Sequence, residues 1–273
     1  MIMICFKVGP ALISGNTLVL KSSEKAPLTS LLFARLAKEA GFPPGAAVDS
    51  NLKSCKLELG GKSPLIVFED ADLEKAAKVA AFSIVFSSGQ VCMTSSRAIQ
   101  ALSDQAGNPL EAKTGFGPQA DRHQFKSISE YLEGAQKDGL KRLSMGELTQ
   151  QEGANFVFPV VFQDVPESHS IMKNEIFGAI SCLNSFSSED EVIRSANDSE
   201  YGLYPSVFTR DIQRVIRVSK SFEAGSIGVN TSSPYYCQDL PLGGFKGSGT
   251  GRELGDEGLE AWTQVKSIYI SLL

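Results

Sequence analysis

Short apolar runs alternate with segments of helical periodicity along most of this chain, and that alternation restricts the fold more than any other feature. Thr17-Leu18-Val19-Leu20 reads as a strand, Ser23 to Pro27 as a polar turn, and Leu28, Leu31, Leu32 and Leu36 recur at helical spacing. Pro27 suits the first turn of that helix, and Gly41 with Pro43 and Pro44 ends it. Strand, turn and helix make half of a βαβ unit, whose natural host is a parallel sheet. The pattern returns downstream. Lys56 to Leu59 and Leu65 to Phe68 are strands, and Asp70 or Asp72 caps a helix with Leu73, Ala76, Ala77, Ala80 and Ala81 on one face. Phe125, Ile128 and Leu132 mark another helix, and Phe156 to Phe162 reads as a strand pair around Pro159. Ser187 or Ser188 opens a capping box before Val192 and Ile193. Val207-Phe208 and Ser226 to Val229 are strands on either side of a helix whose face is Ile212, Val215, Ile216 and Ser219. Lys266 to Leu272 alternates like a half-exposed strand. The predicted class is α/β with mixed sheets.

Composition narrows the function. With 42% hydrophobic and 21% charged residues, the 273-residue chain can bury a core, as one large domain or two modest ones. A net charge of -5 with no Lys/Arg run argues against nucleic-acid binding. Cys5, Cys55, Cys92, Cys182 and Cys237 are scattered, odd in number and free of Cys-x-x-Cys spacing. A reducing, cytoplasmic setting is expected, with neither a disulfide framework nor a structural metal site. His123 and His169 lack metal-ligand companions, so a catalytic base is expected to be a carboxylate. Met1 to Phe6 is apolar but too short for a membrane span and lacks the flanks of a signal peptide. It reads as a buried segment of a larger unit, and its abrupt start suggests that upstream residues are missing.

The stretch that concentrates chemistry is Phe82 to Arg97. An apolar helical run ends in Ser87-Ser88-Gly89-Gln90, and Cys92 sits just past the glycine among small polar residues. From its surroundings alone Cys92 is either a buried small hydrophobe or a nucleophile. Glu58, on the strand before Gly60-Gly61, is either a solvated strand carboxylate or a base brought close by the two glycines.

Six blocks, in order, resemble the NAD(P)-dependent aldehyde dehydrogenase superfamily. Leu57-Glu58-Leu59-Gly60-Gly61-Lys62-Ser63-Pro64 is similar to its glutamate motif and Gly89-Gln90-Val91-Cys92 to its cysteine motif. Asn174-Glu175-Ile176-Phe177-Gly178 is similar to its cofactor-ribose motif, with Ala179 where proline is usual. Pro241 to Glu253 follows its C-terminal signature; Val19 to Glu24 and Asn197 to Leu203 also fit. The resemblance implies a catalytic α/β domain, largely complete, beside a reduced Rossmann-like cofactor domain. It implies oxidation of a small-molecule aldehyde to a carboxylic acid with NAD, or NADP. Cys92 would be the nucleophile, passing through a thiohemiacetal and a thioester, and Glu58 the base for the hydrolytic water. Lys21 and Glu24 would hold the adenosine ribose, a carboxylate there favouring NAD; read alone, they are an exposed turn pair. Glu175 would hold the nicotinamide ribose, and Phe177, otherwise ordinary core, would pack on the ring. Asn230 is expected to be a structural or pocket-lining hydrogen-bonder, and Arg252 and Glu253 to form ion pairs. Association with itself or with similar chains is implied; a membrane or nucleic-acid partner is not.

The departures from the family are expectations of their own. The Trp-Asn-Phe/Tyr-Pro block, whose asparagine helps build an oxyanion hole, is absent, and one such donor is worth a factor of about 10²–10³ in turnover. Between Ala46 and Asn51 a strand–helix unit with the phosphate-contacting Phe-Thr-Gly-Ser motif is missing, and no Gly-x-Gly-x-x-Gly replaces it. Gln100 to Leu110 looks like a shorter splice across a helix, and Ser87-Ser88 stand where asparagine is usual. The expected organisation is a cofactor-domain remnant at 1–61, a cysteine-bearing catalytic domain at 62–240 and a returning segment at 241–273. Two other functions stay open: a catalytically impaired homologue that binds or regulates a relative, and a cofactor-independent thiol esterase.

Overall fold

A computed structural model describes residues 2–42, 56–95, 111, 114–143, 148–151 and 154–271. The gap expected at Ala46 to Asn51, Cys55 and the expected splice from Gln100 to Leu110 lie outside them. The chain forms two compact units. One comprises Met1–Lys56, Cys237–Leu242 and Gly251–Leu273; the other comprises Leu57–Tyr236 and Gly243–Thr250. Residues 243–250 belong to the second unit, where Thr250 and Gly249 pair with Leu57 and Glu58.

The first unit contains the helices Ile2–Ile13, Pro27–Glu39 and Glu257–Glu260. Val8 and Ala11 are buried, Lys7 Nζ meets Glu253 Oε1 at 2.6 Å, and Asn16 Nδ2 donates to the Trp262 carbonyl at 2.7 Å. Lys56 Nζ donates to the carbonyl of Gly258 at 2.7 Å. The structure departs from two expectations here. The N-terminal segment is a helix with Ile2 and Met3 exposed, not a buried strip. Residues 17–20 and 266–271 have no strand partner among the described residues, with Val19 81% and Tyr269 93% exposed. Alternation marks which face of a strand is apolar; a strand also needs a ladder neighbour for its N–H and C=O groups. The helix at Pro27 starts where expected, but its stripe of Leu28, Leu31, Leu32 and Leu36 faces solvent.

The second unit is built on two small three-stranded sheets. In the first, Ser206–Phe208 runs parallel between Gly228–Val229 and Leu65–Val67, with Ile66 opposite Val207 and Val67 opposite Phe208. Side chains alternate between its faces. Leu65 and Phe208 pack with Ala76, Ala80 and Ile84 of the helix Leu73–Val85. Ile66, Phe68 and Val207 pack with Val192 of the helix Glu189–Asn197 and Val218 of the helix Ile212–Ser221. The caps are local. Asp72 accepts from Lys75 N–H, Asp211 from Gln213 and Arg214 N–H, and Ser188 from Glu191 N–H.

The second sheet places Val160–Gln163 between the antiparallel Lys141–Arg142 and the parallel Ile180–Leu183. The run around Pro159 thus yields two strands that do not pair with each other; Ala154–Val157 pairs with Leu148–Gln151. Ile128 and Ala135 of the helix Arg122–Lys137 are fully buried against Val160, Phe162 and Ile180. Ile128 also fills the space that a side chain at Gly178 would need, with Cδ1 2.5 Å from that Cβ position. Among the described residues no helix is long and apolar enough to cross a membrane.

Replacing Ile128 with alanine should remove about 2–5 kcal/mol of stability, read as a lower urea midpoint with an unchanged slope. The cavity would open directly behind Gly178.

Candidate active site

The site begins with a two-residue strand. Leu57–Glu58 pairs antiparallel with Gly249–Thr250, and Leu59 N–H donates to the Ser248 carbonyl at 2.9 Å. Gly249 has φ +127°, and a Cβ there would land on the Leu57 carbonyl, so the C-terminal glycine block is what lets this strand pair. Glu58 is half-buried, and its Oε1 is buried without a hydrogen-bond partner. The chain then enters Gly60-Gly61. A Cβ on Gly60 would occupy the Glu175 carboxylate; one on Gly61 would lie 2.5 Å from the Cys92 carbonyl oxygen. The two missing side chains bring a second acid and the cysteine loop onto the strand that carries Glu58.

The cysteine loop follows the helix Leu73–Val85 through a tight turn, Phe86–Gly89. Ser87, Ser88 and Gly89 are all left-handed, with φ of 50°, 59° and 74°. For serine this is a disfavoured conformation, and tertiary bonds hold it. Ser88 Oγ donates to the Gly117 carbonyl at 2.7 Å, and Gln119 Nε2 donates to the Ser88 carbonyl at 3.0 Å. Gln90 Oε1 accepts from Ala120 N–H at 3.0 Å. Gly89 abuts the Gly178–Ala179 backbone, where a side chain would collide. Beyond the cysteine, Ser95 N–H donates to Ser83 Oγ at 3.0 Å. Cys92 is therefore held from both sides.

Glu175 lies between the short helix Ser170–Lys173 and the strand Ile180–Leu183. Its Oε1 accepts from Gly61 N–H at 3.2 Å. Phe177 follows, also left-handed at φ 59° and 39% exposed. Gln124 Nε2 donates to the carbonyls of Ile176 and Phe177, at 2.9 Å each, and fixes that turn. Glu175, Phe177, Lys62, Gly61, Val91 and Thr94 line one small cleft. Burial pushes the Cys92 thiol well above the usual range, and the neighbouring Glu58 and Glu175 carboxylates push it further. Burial also raises Glu175 from 4.5 to about 7, against a lowering bond from Gly61 N–H, with Glu58 raising and Lys62 lowering it.

Four of the six site residues read from the sequence, Glu58, Cys92, Glu175 and Phe177, thus lie in the second unit. Lys21 and Glu24 lie exposed in the first unit, ahead of the helix Pro27–Glu39. Asn230 is structural: Oδ1 accepts from Thr209 N–H at 3.1 Å and Nδ2 donates to the Thr209 carbonyl at 3.0 Å. Glu253 pairs with Lys7, as the ion-pair reading of that residue expects. Sequence reasoning passed over Lys62, only 8% exposed, and Gln124. The position of Lys62 directly after the glycine pair was the available signal. Nothing local marks Gln124.

The family model for the aldehyde dehydrogenase family matches residues 1–48 and 46–268, and the two matches meet where the strand–helix unit is expected to be missing. Mitochondrial aldehyde dehydrogenase of Mesocricetus auratus is 37% identical over 326 aligned positions, covering all of this chain and 65% of that protein. The human mitochondrial enzyme is also 37% identical, with 63% of its length covered, and mouse retinaldehyde dehydrogenase 3 is 36% identical with 63% covered. The chain therefore spans somewhat less than two thirds of these curated relatives. Among solved structures, an NAD+ complex of aldehyde dehydrogenase from Bacillus cereus superposes with a TM-score of 0.91 at 33% identity, covering 100% of this chain and 66% of that one. A mutant indole-3-acetaldehyde dehydrogenase of P. syringae, in complex with NAD+ and IAA, gives 0.92 at 34% identity, with 99% and 66% covered. The fold, the order of the motifs and the coverage of the match agree. This chain belongs to the aldehyde dehydrogenase family.

Because Glu175 binds its proton more tightly in the folded state than the ordinary 4.5 allows, its stabilising contribution is complete below pH 4.5. It is lost as pH rises through about 7. Urea midpoints at pH 5 and pH 8 should therefore differ less in Glu175→Gln than in the wild type. Gly89→Ala should lose at least about 1 kcal/mol, because its left-handed φ and the Gly178 backbone both oppose a side chain; equilibrium unfolding reads this directly.

Proposed function

We propose that this chain oxidises an aldehyde to a carboxylic acid with NAD, using Cys92 as the nucleophile and Glu58 as the base. The observation that supports this most is the convergence of Cys92, Glu58 and Glu175 at Gly60-Gly61. The resting thiol is protonated, so attack requires a nearby acceptor for its proton, and Glu58 is the carboxylate beside it. The thiolate adds to the aldehyde carbonyl and gives a thiohemiacetal on Cys92. Oxidation of that carbon leaves a thioester. Glu58 releases the thiol proton to solvent and then takes a proton from water; the hydroxide attacks the thioester carbonyl, the C–S bond breaks to free the acid, and the departing sulfur recovers its proton from Glu58.

The residues present fit the nicotinamide-ribose end of NAD. Glu175 offers a carboxylate inside the cleft, and Phe177 presents a part-exposed ring from a left-handed turn at the same cleft. When bound there, NAD supplies the hydride acceptor. Lys21 and Glu24 are the candidates for the adenosine ribose, with Glu24 disfavouring a 2′-phosphate and so NADP. A second reading, thioester and ester hydrolysis without NAD, is favoured by the fact that Cys92 and Glu58 both belong to the second unit while Lys21 and Glu24 belong to the first.

Aldehyde-dependent NADH formation, followed by absorbance, should be lost in Cys92→Ala. Glu58→Gln should slow turnover by about 10²–10⁴-fold and let the acylated enzyme accumulate, as seen by intact-protein mass spectrometry. Absence of NADH formation across a broad aldehyde panel, with Cys92-dependent ester hydrolysis retained, would select the second reading.

A further inference from the structure

Glu175 is only partly accounted for by a ribose-holding role. Its carboxylate does not stand at the rim: it is folded onto the glycine pair, bonded to Gly61 N–H at 3.2 Å and seated where Gly60 lacks a side chain. The groups facing it come from four elements. They are Glu58 from the strand Leu57–Glu58, Lys62 from the segment after the glycines, Cys92 from the loop beyond Phe86–Gly89, and Tyr201 from the strand Tyr201–Gly202. Glu58 Oε1, close by, is buried without a hydrogen-bond partner. Two carboxylates and a thiol thus share one partly dehydrated volume with a single lysine, and they cannot all be ionised without mutual penalty.

We propose that Glu175 is a positioning residue for the thiol: its charge state governs how readily Cys92 ionises, so the thiolate forms most easily while Glu175 is protonated. The inference deepens the reading of this same site, and it goes beyond holding a cofactor. Burial raises Glu175 to about 7, so the coupling is expected to show near neutral pH. As Glu175 ionises, the site gains a negative charge beside Cys92 and opposes the second one.

The test is alkylation of Cys92 by iodoacetamide from pH 6 to 9, without aldehyde or NAD. Peptide mass spectrometry assigns the label to Cys92, since Cys5 and Cys237 are exposed thiols as well. An isolated thiol far below its pKa gains about tenfold in rate per pH unit, because only the thiolate reacts. In the wild type the gain should fall below that around pH 7 and recover above it. In Glu175→Gln the dip should vanish, and the rate at pH 8 should be about three- to tenfold higher. A wild-type profile of uniform slope, or a folded Glu175→Gln variant that alkylates at the wild-type rate throughout, would overturn the coupling. The wild-type profile needs no variant, so misfolding of Glu175→Gln leaves the test decisive. Failure of aldehyde oxidation with this coupling intact would strike the proposed function alone.

Discussion

The close approach at Gly60-Gly61 is the constraint on which the rest of the site depends. Glu58 belongs to a strand, Cys92 to a loop after a helix, and Glu175 to a connection 114 residues beyond Gly61. No local preference would gather them. Two absent side chains do, because one vacancy admits the Glu175 carboxylate and the other admits the Cys92 carbonyl. A single methyl group at either position would separate groups whose chemistry depends on sharing a volume.

That proximity has an electrostatic counterpart. Burial alone disfavours charge on Cys92 and Glu175, and the neighbouring carboxylates add to it, while Lys62 partly offsets it for Glu175. A thiol held protonated at rest has its nucleophilicity released only when a base takes the proton. On the proposed reading, this arrangement favours attack on a carbonyl lodged beside Glu58 over indiscriminate reaction with electrophiles.

How much could be read from the chain alone follows from the range of the physics involved. Asp72 and Ser188 were legible as caps because a cap is decided within three residues. The glycine pair was legible as a place of close approach, but not what approaches it, since Glu175 is distant in sequence. Lys62 reads as a surface lysine from its chemistry and is buried by tertiary packing. Thr17 to Leu20 and Lys266 to Leu272 carry strand-like patterns, yet a pattern cannot supply the neighbouring strand that turns an extended segment into a ladder. Likewise the leucine stripe after Pro27 specifies a helix and an apolar face, but not a surface to cover it.

The turn at Ser87, Ser88 and Gly89 has a consequence for what the loop's shape depends on. Each left-handed serine is unfavourable by about 1 kcal/mol or more in isolation, so this turn does not persist in a chain that has formed only its local structure. The bonds that hold it come from residues 117 to 120, and the wall behind it from Gly178 and Ala179. The helix Leu73–Val85, by contrast, is specified by its own periodicity and its Asp72 cap. The loop that carries Cys92 therefore depends for its shape on contacts with those distant segments rather than on its own sequence.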